Sequence, residues 1–125
     1  MKIGFTVGCF DLLHKGHIKF LKRCKKYCDY LIVAVTTNYI TRVQKGKGRP
    51  IQSLFERIDN VMPYADKVIV VDTLDMTSYL QIADVWLKGE GQNNMKPFDY
   101  PNIVFIKRTP DISTTQIIEE NYANK

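Results

Sequence analysis

The chain has 125 residues, of which 45% are hydrophobic and 25% charged. This balance excludes a disordered, collagen-like or low-complexity polypeptide and fits a single domain over residues 1–125. Lys and Arg number 18 against 13 acidic residues, a net charge of +5, which suits an anionic ligand without choosing between nucleotide, sugar phosphate and nucleic acid. No apolar run approaches the roughly 18 residues of a membrane span, so no membrane partner is expected. Cys9, Cys24 and Cys28 form an odd set with no secretory leader, so reduced thiols and a cytoplasmic protein are expected.

Lys2 to Val7 reads as a short buried strand. From Lys15 to Tyr27, the residues Ile18, Phe20, Leu21 and Cys24 recur at near-helical spacing, with lysines on the other side. Tyr30 to Val35 is a continuous apolar run, as expected of a parallel strand buried on both faces. Thr36 to Pro50 is polar, basic and glycine-bearing, and Gln44 to Pro50 is its most loop-like part. Ser53 predicts the N-cap of a helix over 53–62, with Glu56 at the matching capping-box position. A strand follows at Lys67 to Val71, a helix at Asp75 to Ile82, a short strand at Asp84 to Leu87 and another at Asn102 to Ile106. Ser113-Thr114-Thr115 opens a closing helix over 112–122. Strands alternating with helices predict an α/β fold, a parallel sheet covered on both faces. Ligands bind such sheets beyond the carboxyl ends of the strands, and the segments after Val7, Val35, Leu87 and Ile106 all lie there.

Gly8-Cys9-Phe10-Asp11-Leu12-Leu13-His14-Lys15-Gly16-His17 stands at the first strand–helix junction. Main-chain N–H groups at such a junction are expected to point outward and, with the helix dipole, to favour an anion. His14 and His17 share a face of the first turn, and Gly16 lets a ligand approach the backbone closely. Stabilisation of charge developing on a phosphoryl group is the chemistry this pattern suggests. Zinc is the competing reading, since His14, His17, Cys24 and Cys28 form H-x2-H-x6-C-x3-C. One helix carrying all four would hold His14 and Cys28 about 20 Å apart at 1.5 Å per residue. Cys24 and Cys28 therefore read as small hydrophobes on the buried face. The basic run from Lys15 to Lys26 reads as a solvated helix face. It has no interleaved aromatic series, so no nucleic-acid partner is expected.

The segment Gly8 to His17 resembles the GxFDxxHxGH motif of the nucleotidyltransferase superfamily. Its Leu12-Leu13 centre is similar to the cytidylyltransferase and heptose-phosphate adenylyltransferase branches. Gly46-Lys47-Gly48-Arg49-Pro50-Ile51 with Arg57 is similar to the loop and helix arginine of the heptose adenylyltransferases. Arg108-Thr109-Pro110-Asp111-Ile112-Ser113-Thr114-Thr115 resembles the RTxGISTT motif of glycerol-3-phosphate cytidylyltransferases, with Asp111 in place of glycine. Leu87-Lys88-Gly89-Glu90-Gly91 resembles the family's strand-end segment, but Gly91 stands where a second acidic residue is usual.

The resemblance implies a Rossmann-like, doubly wound sheet of five parallel strands. It implies attack by a substrate phosphate oxygen on the α-phosphate of a nucleoside triphosphate, with release of pyrophosphate. CTP with glycerol 3-phosphate is the leading pair, and ATP with a sugar 1-phosphate such as heptose phosphate is the alternative. Catalytic roles would fall to His14, His17, Lys47 and Arg108. Nucleotide contacts would come from Gly8, Cys9, Phe10, Asp11, Gly16, Lys45, Arg57, Gly89, Glu90, Thr109, Ile112, Ser113 and Thr114. Mg²⁺ is expected on the triphosphate rather than on protein side chains. The expected partner is a small phosphorylated acceptor, and a homodimer is expected from the chain's small size.

Overall fold

A computed structural model describes residues 1–73, 75–79, 81–89 and 102–106. Within them β1 (Ile3–Gly8), β2 (Tyr30–Thr36), β3 (Lys67–Val71), β4 (Val85–Gly89) and β5 (Ile103–Ile106) form one sheet in the order β3-β2-β1-β4-β5. Every neighbouring pair is parallel. The chain builds outward from β1 through β2 to β3, then returns across β1 to lay down β4 and β5. This reversal makes a topological switch point between β1 and β4.

Side chains alternate across the sheet and divide the core in two. Leu31, Val33, Val35, Val85, Leu87 and Ile106 face one side. There they meet Leu21 and Cys24 of α1 (Lys15–Cys24) and Val61 of α3 (Leu54–Val61). Phe5, Val7, Ile32, Ala34, Val71 and Trp86 face the other side, against Met76 and Ala83. The apolar runs in the sequence are continuous because both faces of these strands are buried.

The amino edge of the sheet is pinned by one device used three times. The Asp residue before β2, before β3 and before β4 bonds reciprocally with the start of a neighbouring strand. Asp29 accepts from Lys2 N–H at 2.8 Å and donates its own N–H to Lys2 O at 2.8 Å. Asp66 does the same with Leu31, at 2.8 and 2.9 Å, and Asp84 with Ile3, at 2.8 and 2.8 Å. Each pair closes off main-chain groups at an edge strand or strand end and fixes register.

The α3 cap is as the sequence predicts. Ser53 Oγ accepts from Glu56 N–H and Glu56 Oε1 accepts from Ser53 N–H, both at 3.2 Å. Two expectations need correction. The segment read as a loop from Thr36 contains α2 (Asn38–Lys45), capped by Thr37, whose Oγ1 accepts from Ile40 N–H. Its buried face is only Ile40 and Thr41, too little to give an apolar period. The helix expected at Asp75 to Ile82 is, among the described residues, a single 3₁₀ turn, Thr77–Tyr79. Asp75 there accepts from Thr77 N–H at 2.9 Å, a side-chain turn that competes with helix. The helix expected over 112–122 lies outside the described residues.

Gly4 lies where the chain leaving α1 crosses β1. A Cβ at Gly4 would stand 2.7 Å from Cys28 Sγ and 2.9 Å from Cys28 Cβ. Gly4→Ala is therefore expected to overpack this crossing and lower stability by about 1–3 kcal/mol, read from the urea midpoint at unchanged m-value.

Candidate functional site

The carboxyl end of β1 runs into a strained loop. Phe10 and Leu12 both have φ of 52°, the left-handed region that costs a side-chain-bearing residue on the order of 1 kcal/mol or more. Asp11 stands between them with a carboxylate 1% exposed. Its Oδ2 accepts from Ile51 N–H at 2.8 Å and from Arg49 Nε at 3.3 Å. Its Oδ1 accepts from Gln52 N–H at 2.9 Å. Leu12 N–H donates to Gln52 Oε1 at 2.8 Å, and Asn60 Nδ2 donates to the same oxygen at 3.4 Å. The loop after β1 and the segment before α3 are thus one clamped unit.

Arg57 forms a second strut. It is fully buried, and its Nη1 donates to Cys9 O at 2.9 Å, Thr36 O at 2.8 Å and Thr41 Oγ1 at 3.4 Å. Its Nη2 donates to Asn38 Oδ1 at 2.7 Å. One guanidinium therefore joins the carboxyl ends of β1 and β2 to the start of α2. Burial lowers its pKa, with the Asp11 charge pulling the other way.

His14 and His17 cap α1 reciprocally. His14 Nδ1 accepts from Gly16 N–H at 3.0 Å, and His17 Nδ1 accepts from His14 N–H at 3.3 Å. A neutral imidazole that accepts at Nδ1 carries its proton at Nε2. Both rings are therefore held as Nε2–H donors, stacked with centroids 4.0 Å apart. The expectation that the N–H groups of this helix start point outward unpaired is corrected at Gly16. The cap takes up that N–H, and the imidazoles become the donors in its place. Phe10 fits behind them, its ring edge-on to His17 at 5.8 Å. Gly8 makes room for that ring, since a Cβ there would lie 3.0 Å from Phe10 Cε2.

The other predicted residues fall as follows. Cys9 is buried, and its Sγ donates to Gln44 Oε1 at 3.6 Å. Lys45 and Lys47 are exposed around Gly46 and Gly48, whose φ values are 97° and 88°. Gly89 ends β4, next to β1 at the same edge of the sheet. Of the residues expected to contact nucleotide, Asp11 has both carboxylate oxygens engaged in the clamp, and Arg57 has Nη1 and Nη2 engaged in the strut while its buried Nε has no hydrogen-bond partner. Glu90, Gly91, Arg108, Thr109, Asp111, Ile112, Ser113 and Thr114 lie outside the described residues. Sequence reasoning missed Gln52 and the clamping role of Arg49, and it passed over Lys88. A lysine inside the apolar run Val85-Trp86-Leu87 is a visible signal, while the clamp depends on tertiary path and leaves no local pattern.

A family model described as cytidylyltransferase-like matches residues 5–120. The chain belongs to the cytidylyltransferase-like family. It is 35% identical to the glycerol-3-phosphate cytidylyltransferase of Bacillus subtilis, over 96% of this chain and 97% of that protein. It is 36% identical to the bifunctional protein HldE of Desulfatibacillum aliphaticivorans, over 95% of this chain but only 27% of that protein. The chain thus spans about a quarter of the length of that relative. Among solved structures, a lipopolysaccharide core biosynthesis protein from Thermoplasma volcanium has the same fold. Its TM-score is 0.69 at 24% identity, covering 87% of this chain and 97% of that one.

Within this family member, Arg57 joins the carboxyl ends of β1 and β2 to the start of α2. Arg57→Leu would leave the carbonyls of Cys9 and Thr36 buried without this donor. A loss of about 2–4 kcal/mol in chemical denaturation is expected. Arg57→Lys should recover less than half, because an ammonium cannot span the same acceptors.

Proposed function

We propose that this domain transfers CMP from CTP to a small phosphorylated acceptor, glycerol 3-phosphate first among candidates, and releases pyrophosphate. The observation that carries this reading is the reciprocal histidine cap at the carboxyl end of the central strand. It fixes two Nε2–H donors side by side. An acceptor phosphate oxygen attacks the α-phosphorus, and the bond from that phosphorus to the bridging oxygen of the departing pyrophosphate breaks. Negative charge grows on the departing oxygen and the equatorial oxygens. Fixed donors aimed at them stabilise that charge without reorganisation. No covalent intermediate is needed.

Lys47, with Lys45, would close over the triphosphate on the Gly46 and Gly48 hinges and bring charge to the leaving group. Arg108, Thr109, Ile112, Ser113 and Thr114 take nucleotide-binding roles by resemblance alone. Glu90 and Gly89 do so at the end of β4. Mg²⁺ belongs to this reading as the counter-ion carried by the triphosphate. The described residues fit a protein-held metal poorly. The Asp11 carboxylate is already committed to Arg49, Ile51 and Gln52, and no group of three or more His, Cys, Asp or Glu is placed to hold a metal among the described residues.

The full-length match to a glycerol-3-phosphate cytidylyltransferase supports CTP. The matches to HldE proteins favour a second reading, ATP with a sugar 1-phosphate. Arg49 does not add weight to that reading, because its side chain pairs with Asp11. A cytoplasmic homodimer is part of the proposal. No helix among the described residues is long and apolar enough to cross a membrane.

The test is pyrophosphate release with Mg²⁺, crossing CTP and ATP against glycerol 3-phosphate and sugar 1-phosphates. Release with CTP and glycerol 3-phosphate is the expected result. Release only with ATP would replace it with the adenylyl reading. In the active pair, His17→Asn keeps an acceptor for the His14 N–H but loses the Nε2 donor. It should lower kcat by about 10²–10³ with little change in KM or melting temperature.

A further inference from the structure

Leu12 lies beyond the end of β1, in the left-handed region with φ of 52°. Its N–H has left the sheet ladder and needs an acceptor from elsewhere. That acceptor is a distant side chain, Gln52 Oε1, at 2.8 Å. The main chain of the same glutamine is fixed too, since Gln52 N–H donates to Asp11 Oδ1 at 2.9 Å. Gln52 therefore holds two consecutive residues of the strained loop, Asp11 through its main chain and Leu12 through its carboxamide. The orientation of the carboxamide is set from α3, where Asn60 Nδ2 donates to the same oxygen at 3.4 Å. Two N–H groups converge on one atom, and only the oxygen of a carboxamide accepts.

His14 follows Leu12 by two residues. It is the N-cap of α1, with φ of −129° and ψ of −179°, and its N–H donates to His17 Nδ1. Moving the Leu12 peptide moves the residue from which the histidine cap is built. Fixed donors are sensitive to such movement, and a displacement of about 1 Å can cost on the order of 10²-fold in rate. The Asp11 clamp does not depend on the Gln52 side chain. Its donors are the main-chain N–H groups of Ile51 and Gln52 and the Arg49 guanidinium. A change of side chain at position 52 thus removes the Leu12 bond and leaves the carboxylate clamp in place.

We propose that Gln52 is a positioning residue for the transfer reaction. Its carboxamide oxygen, turned toward Leu12 by Asn60, holds the loop that presents His14 and His17 to the reacting phosphate. The effect on rate rests on the nucleotidyl-transfer reading; the effect on the imidazoles does not.

The experiment compares the full chain with Gln52→Met, Gln52→Glu, Asn60→Asp and the double variant Gln52→Met with Asn60→Asp. Methionine has a similar length and no oxygen. Glutamate keeps an acceptor in the same place. Its charge stays in contact with water, because Gln52 lines an open groove with Leu13, Asp59 and Tyr64. Asn60→Asp sets a carboxylate against the Gln52 oxygen, so that the amide rotates and turns its own N–H groups on the Leu12 N–H.

In the active pair, Gln52→Met is expected to lower kcat by about 10–10²-fold, with each KM within about twofold. Its melting temperature should fall by no more than about 8 °C. Gln52→Glu should keep most of the wild-type kcat. Asn60→Asp should lower kcat in the same direction and add nothing once Gln52 is replaced by Met, because the oxygen it acts through is gone. In nitrogen NMR the His14 and His17 ring resonances should shift in Gln52→Met and Asn60→Asp and stay in place in Gln52→Glu. A wild-type kcat in Gln52→Met, a raised KM at unchanged kcat, no recovery in Gln52→Glu, or full additivity in the double variant overturns the proposal. Where Gln52→Met does not fold, Asn60→Asp decides: a kcat loss at unchanged KM supports the positioning role, and an unchanged kcat removes it. A wild type that releases no pyrophosphate with any pair sinks the transfer reading. The ring resonances then still decide the role of Gln52, supporting it if they shift in Gln52→Met and overturning it if they do not.

Discussion

The site depends on one buried carboxylate. Asp11 accepts from the main chain at Ile51 and Gln52 and from the Arg49 side chain, and so joins two loops that meet only in the folded chain. Without this clamp, Phe10 and Leu12 would have little reason to remain in the left-handed region. Strained backbone persists where its surroundings over-determine it. Here Asp11 fixes the peptides around it, Gln52 takes the Leu12 N–H, and Phe10 is packed over Gly8. The path of residues 9–14 is set by these contacts, and that path delivers His14 to the first turn of α1.

The two edges of the sheet are built for different ends. At the amino edge, Asp29, Asp66 and Asp84 each close a reciprocal pair with a neighbouring strand. Register there is fixed three times over, and none of these groups is left for chemistry. At the carboxyl edge the chain does the opposite. It buries the cations Arg57 and Lys88, strains two residues and exposes Lys45 and Lys47 beside positive-φ glycines. The strained residues oppose folding, while buried Arg57 ties the strand ends together through its guanidinium. Preorganised donors act on developing charge only if the scaffold, and not the ligand, holds them. The over-determined amino edge is the part of the scaffold that can carry that load.

Much of this was legible in the chain. Strands buried on both faces announce themselves as apolar runs, and Tyr30 to Val35 could hardly be anything else. Ser53 and Glu56 marked α3 because a capping box is local chemistry. His14 and His17 were legible for the same reason, being three apart at a strand–helix junction. What was hidden depends on contacts between distant segments. Helix α2 buries only Ile40 and Thr41 and leaves Tyr39 and Val43 exposed, so no apolar stripe betrays it. Thr37 and Gly46 were its only local marks. Asp11 and Arg57 have side chains that could equally meet a phosphate or a main chain, and sequence does not distinguish the two. The fold brings Ile51 and Gln52 to Asp11, and Cys9 and Thr36 to Arg57.

The histidine cap separates two duties that are usually assigned to different residues. One nitrogen of each imidazole completes the helix start, and the other is left to carry the proton. The capping duty fixes the tautomer: a lone pair at Nδ1 is needed to accept the main-chain N–H, so the proton resides at Nε2. The stacking at 4.0 Å adds that two full positive charges would stand face to face if both rings were protonated. Both constraints favour neutral rings that donate hydrogen bonds over a pair of imidazolium cations. Exposed positive charge at this edge then lies on Lys45, the last residue of α2, and on Lys47 just beyond it. The division lets one imidazole carry a structural duty at Nδ1 and a proton at Nε2 at the same time.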